Sequence, residues 1–266
     1  MNSLNSSLSR IKTLTRYYTL ITFYDKSRFF LIVIWPIIDL LVWGFTTKFL
    51  IQSETNPSSF LSLILSTFIF WSLTIKAQQE ISCQFMSDIF SRNLTNLLIT
   101  PLKTIEILIA LIASSIVKLV IVIGVLGFFA IILYSLNIFQ FNFNILLIFI
   151  NLLIFGWSLG IIATAFVVRF NYRVSFITWT LALLIQPISC VFYPRSILPS
   201  FLKLLSWFSP ASYLFESMRE IILKKQISSF NFYISTFLNI FYLIFSLFFF
   251  NIMLKWAKKK GSLSKM

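Results

Sequence analysis

Few of the 266 residues in this chain could do chemistry, and their spacing argues against catalysis. Eight carboxylates are scattered one or two to a segment, alongside two cysteines and no histidine. A general base, a zinc site or an activated nucleophile needs two or three such groups held together. Cys83 and Cys190 are far apart, so neither a structural disulfide nor a metal site is expected. No G-x-x-x-x-G-K-[ST] run occurs, so the chain has no P-loop to cradle nucleotide phosphates. The remaining charges are placed differently. Asp39, Lys76, Glu80 and Lys118 lie within or near apolar runs, where charge is costly and usually faces a bundle interior or water. Lys76 and Glu80 stand four apart and can pair on one helical face. Lys118 can snorkel if its helix starts in the interface. Structural or gating roles are expected for all four ahead of substrate contact.

The elements that must position these charges are set by composition. The chain is 58% apolar and 11% charged, with 32 Phe and a mean hydropathy of +0.91. Too little polar surface remains to coat a water-soluble globule. Apolar segments at about 29–51, 60–81, 105–135, 144–168, 174–193 and 230–255 approach or exceed the ~20 residues needed to cross a bilayer as helix. Barrel strands would show ten-residue alternation, which is absent. The net charge of +14 makes no stripe suited to nucleic acid, because Lys and Arg gather at the ends and between apolar runs. The expected fold is an all-α integral membrane protein with six transmembrane helices in a single domain over 1–266.

Besides the connector at 82–104, three segments outside the spans carry readable signals. Residues 1–28 are basic, and Leu4, Leu8, Ile11, Leu14, Tyr18 and Ile21 share one helical face, which predicts an amphipathic interface helix. The stretch 194–229 carries Pro194, Pro199 and Pro210 between apolar pieces too short to cross, and reads as a re-entrant or interfacial helix pair. Residues 255–266 form a basic tail. Six spans put both termini on one side, and the Lys/Arg excess of the inner segments makes that side cytoplasmic.

The connector at 82–104 is the most informative segment. Phe85, Met86, Ile89, Phe90, Leu94, Leu97 and Leu98 form a stripe, Asp88 and Arg92 an i,i+4 pair on its polar side, and Pro101 stops the helix. Such a helix can dock in a groove of another protein or simply rest on headgroups. The run from Gln79 to Leu102, with Gln79-Glu80, Phe85-Met86-x-Asp88, Ser91-Arg92-Asn93-Leu94 and Thr100-Pro101-Leu102, resembles permeases of type-2 ATP-binding-cassette exporters of the drug/lipid-type branch. So does 192–220, through Tyr193-Pro194, Leu198-Pro199, Pro210, Tyr213, Glu216 and Arg219.

That resemblance implies a set of roles. Residues 82–102 would be the coupling helix seated in a nucleotide-binding subunit, with Glu80, Phe85, Asp88, Ser91, Arg92, Asn93, Leu94 and Pro101 as coupling residues. Residues 194–223 would form the outer gate, with Tyr193, Pro194, Pro199, Pro210, Tyr213, Glu216 and Arg219. The chain would hold no cofactor of its own; a partner ATPase would bind ATP and Mg. Further expected partners are a second permease copy, as a homodimer, and membrane lipid, in a bacterial cytoplasmic membrane or an organelle of bacterial descent. The alternatives are a membrane-embedded lipid-modifying enzyme or a membrane assembly factor. Gly156-x-x-x-Gly160 is a weak candidate for a dimer seam, most tryptophans are expected as interfacial anchors, and Phe237, Phe241, Phe245, Phe248, Phe249 and Phe250 are expected to face lipid.

Overall fold

Asp25 separates the first two helices. In the computed structural model, which describes residues 2–50, 57–91, 93, 99–136, 143–224 and 229–259, α1 spans Asn2–Tyr24 and α2 spans Lys26–Leu50. The Asp25 carboxylate accepts the backbone N–H groups of Ser27 (3.1 Å) and Arg28 (3.3 Å), capping α2. The surface segment expected over 1–28 therefore ends at Tyr24. α3 runs unbroken over Pro57–Phe90. No Gly and no internal Pro interrupts it, so the expected span 60–81 and the start of the connector are one rod. Then come α4 (Thr104–Tyr134), α5 (Phe143–Phe170), α6 (Ile177–Ile185), α7 (Ser200–Ser206), α8 (Pro210–Lys224) and α9 (Ser229–Lys259). Ser135, Asn171 and Cys190 each end a helical stretch in the left-handed conformation. The described residues contain no strand, and the fold is all-α.

Among the described residues, five helices are long and apolar enough to cross a membrane: α2, α4, α5, α9, and α3 over Phe60–Phe90. The shortest, at 25 residues, extends about 38 Å at 1.5 Å per residue. The segment expected to cross at 174–193 differs. It comprises nine α-helical residues followed by four in a 3₁₀ turn at Gln186–Ser189, together roughly 22 Å. Pro187 ends the α-helix there. Ser189 Oγ lies 3.1 Å from Ser209 Oγ, so this short helix meets the start of α8. α8 buries Leu214, Phe215 and Met218 in the main core. Tyr242 donates its phenol to the carbonyl of Phe208 (3.2 Å), and Tyr242 sits about 20 Å along α9 from Ser229. The turn between α7 and α8 thus lies against the middle of α9.

α3 and α5 form the centre. A Cβ on Gly156 would stand 2.6 Å from the Thr74 carbonyl oxygen, and one on Gly160 2.8 Å from that of Gln78. The G-x-x-x-G therefore serves a seam within the chain, not a seam between copies. α9 packs on the other side of α5, while α2 is mostly exposed. A second core closes one end of the bundle, where Leu14 and Tyr18 of α1 join Phe85 and Ile89 of α3 and Met253, Leu254 and Ala257 of α9. The α1 face is thus shared between protein and surroundings: Leu14 and Tyr18 are buried, Leu8 is exposed, and the side chain of Leu4 lies outside the described residues. Phe250 is likewise buried, its ring edge-on to Phe85 at 5.6 Å, whereas Phe237, Phe241, Phe245 and Phe248 are exposed as expected of lipid-facing residues. Trp71 is buried in the main core instead of anchoring at an interface.

Candidate functional site

At the α1 end, the last turn of α3 is locked to α1 by buried polar contacts. The stripe of α1 repeats at three- and four-residue steps, which turns Tyr18 inward beneath Leu14. Its phenol donates to Asp88 Oδ2 at 2.8 Å, and both side chains are buried. Burial, then the neighbouring Asp88 charge, holds the Tyr18 phenol far above its ordinary pKa, so it stays a donor. Asn93 Nδ2 donates to Asp88 Oδ1 (3.1 Å) and to the Tyr17 hydroxyl (3.1 Å). Asp88 is therefore buried, not solvent-facing; its expected partner Arg92 lies outside the described residues. The periodic position of Asp88 puts it on the polar side of α3 taken alone, but α1 covers that side.

A second clasp ties α1 to the start of α4. Glu106 accepts from Ser7 Oγ (2.5 Å) and from Arg10 (2.8 Å), and also from the Lys103 backbone N–H (2.9 Å), which caps α4. Both ends of the 82–104 connector are thus fastened to the same helix, α1.

Between the α1–α2 corner, the last four turns of α3 and Trp179 of α6 lies a cavity of about 640 Å³. Its wall carries Arg28, Lys76 and Glu80 among apolar groups such as Leu31, Met86 and Phe90. Glu80 is bonded to Lys118 of α4 at 2.6 Å, with Lys118 buried. The pairing with Lys76 one turn away does not form, because α4 presents a closer cation. Lys118 does not snorkel for the same reason. Arg28 is held by Asp25 (3.0 Å) and donates to Ser87 Oγ (2.9 Å). On the α6 side, Gln78 and Ser82 both donate to the Thr178 carbonyl, at 2.9 and 3.0 Å.

Toward the other end, prolines set a compact polar cluster. Pro194 and Pro199 precede the short helices at Arg195–Ile197 and Ser200–Ser206, and Pro210 opens α8, where its missing N–H costs nothing. Glu216 Oε1 accepts the Arg195 N–H at 2.7 Å, and its other oxygen lies 3.4 Å from Arg219 Nη1. Arg219 also donates to the carbonyls of Cys190 and Val191. The Arg195 guanidinium stacks on Trp207 and Tyr213 at 4.2 and 4.4 Å, and donates to Ser212 Oγ at 2.7 Å. Tyr213 bonds the Trp207 carbonyl and Tyr193 that of Pro187.

Of the expected coupling residues, Glu80 and Ser91 line the cavity, Phe85 and Asp88 are buried at the α1 junction, and Asn93 braces Asp88. Pro101 lies exposed in the turn before α4. Arg92 and Leu94 lie outside the described residues, as do Leu97 and Leu98. The seven expected outer residues all fall in or beside the Arg195–Glu216–Arg219 cluster. Reasoning from sequence missed Tyr18 as a polar partner, Glu106 and Arg195. Glu106 had a readable signal, an acid three residues into a helix that follows a proline turn. Arg195 had none, since its partners lie 12 to 21 residues away.

The family model for ABC-2 type transporters matches residues 12–223, from within α1 to the end of α8, and so takes in the Tyr18–Asp88 junction, the cavity and the Arg195–Glu216–Arg219 cluster. No curated protein matches the chain. Such a family implies a transport subunit that works with a separate ABC ATPase. With five long apolar helices in the same chain, this is a multi-pass membrane permease that belongs to the ABC-2 type transporter family.

Proposed function

We propose that this chain is the membrane-spanning subunit of an ATP-driven exporter that moves a hydrophobic or amphipathic substrate, such as a drug, a lipid or a lipid-linked glycan, out of the cytoplasm. One observation carries the reading. The last turns of α3 bear the cavity wall on one face (Lys76, Glu80, Ser87) and the α1 junction on another (Phe85, Asp88). A push on the connector after Phe90 would then act directly on the cavity. Two copies pair, and two ATPase subunits, holding ATP and Mg, attach at the α1 end on the cytoplasmic side of a bacterial inner membrane. Closure of the ATPases biases the bundle between two states, and cargo leaves past the cluster around Glu216.

The test is co-reconstitution with the ATPase subunit in proteoliposomes, following a fluorescent amphiphile across the bilayer. Outward movement should require hydrolysable ATP and an intact ATPase. Movement without nucleotide, or chemical change in the amphiphile, would overturn the reading.

A further inference from the structure

We infer that Lys76 is the headgroup contact of the 640 Å³ cavity, and that the cavity takes an amphiphile with one anionic head, a carboxylate or a phosphate, on an apolar tail. The inference rests on the exporter reading and names the cargo class of that same cavity. Its size is that of a pocket for one drug-sized molecule or acyl chain.

The charges on the wall decide the sign. Among the described residues, three acidic or basic side chains line it: Arg28, Lys76 and Glu80. Glu80 is already neutralised by Lys118, which approaches from outside the cavity at 2.6 Å. Arg28 has Asp25 as its counterion. Among the described residues, Lys76 makes no ion pair and no hydrogen bond. Its nearest opposing charges, Glu80 on its own helix and Asp39 on α2, influence it without reaching ion-pair distance. The polar neighbours from α3 and α6, Cys83 and Gln79 with Trp179, are neutral. An ammonium in a span without a protein partner is costly unless water or an anion faces it, and such residues mark substrate paths. A cationic head would meet two cations and one occupied carboxylate. An anionic head would complete the ammonium's hydrogen bonds while its tail covers Leu31, Met86 and Phe90.

Trp179 lines the same cavity and is half exposed, which supplies a built-in reporter. The permease–ATPase complex is placed in phosphatidylcholine nanodiscs and titrated with dibromostearate, a brominated alkyl phosphate and a brominated alkyltrimethylammonium. The Trp179 signal is isolated by subtracting the Trp179→Phe variant. Both anions should quench it saturably, the better of the two identifying the head, and the cation should not. Lys76→Gln should weaken anion binding about tenfold or more, and Lys76→Arg should restore it to within about threefold. Equal quenching by anions and cation, or unchanged binding in Lys76→Gln, overturns the inference. If ATP drives the anion out equally well in Lys76→Gln, the site assignment fails and export stands. If binding follows charge as expected but ATP moves nothing, the exporter reading fails and the site stands.

Discussion

Tyr18 of α1 and Asp88 of α3, seventy residues apart in sequence, meet through a 2.8 Å hydrogen bond in a buried contact at one end of the bundle. The bond joins the helix expected to lie along the membrane surface to the rod that crosses it. Tyr18→Phe keeps the ring packing and removes only the donor, leaving Asn93 as the side-chain donor to Asp88 among the described residues. The loss should be about 1–3 kcal/mol, read as a lower melting temperature in nanodiscs. Under the exporter reading, Tyr18→Phe and Asp88→Ala should each raise the ATP consumed per molecule moved several-fold while membrane insertion is retained. Wild-type coupling in both variants would remove the junction from the transmission path.

The Glu80–Lys118 pair makes a different prediction. With side chains 13% and 4% exposed, each group is stable only because the other neutralises it. Lys118→Met should destabilise by about 3–5 kcal/mol, and Glu80→Gln added to it should recover most of the loss. A double-mutant cycle in thermal unfolding measures the coupling. Simple additivity of the two substitutions would show that the pair contributes nothing.

Glycine substitutions separate an internal seam from a dimer seam. Gly156→Ala forces a methyl group against the Thr74 carbonyl, so α3 and α5 must part, at a cost of about 1–3 kcal/mol. Gly124→Ala has nothing within 4 Å and should be neutral or stabilise by up to about 1 kcal/mol. Melting temperatures should separate the two variants at any protein concentration. A change in oligomeric state without a change in melting would point back to a seam between copies.

At the Arg195–Glu216–Arg219 cluster, Glu216→Ala deprives the Arg195 N–H of its acceptor and Arg219 of its counterion. Because Arg219 also holds the carbonyl of the fully buried Cys190, the segment 190–195 should loosen. In a Cys83→Ser background, maleimide labelling of Cys190 should speed up about tenfold or more in Glu216→Ala. An unchanged labelling rate would mean that the helix contacts alone hold the segment.

Much of the fold was legible in the chain because hydropathy and span length are local properties. Five runs long enough to cross emerge as helices of crossing length, and the prolines at 194, 199 and 210 mark the starts of the short helices and of α8. The candidate site was legible where residues cluster in sequence, as Glu216 and Arg219 do on one helix face. It was illegible where a partner lies on another helix. The i,i+4 rule offered Lys76 to Glu80, yet Lys118 bonds that acid because helix packing brings it closer than a neighbour one turn away, and Asp88 accepts from Tyr18 of α1, a bond that no spacing within α3 records.

The amino-acid sequence by itself determined that this is a helical membrane protein, since hydropathy and span length need no partner to be read. Tertiary structure alone decided that 174–193 holds a short helix meeting α8, that Gly156 and Gly160 face α3, and that Lys76 stands beside a cavity without a bond to any described residue. Each depends on which helix faces come into contact. That is settled by the summed packing of the whole bundle, which no local pattern records.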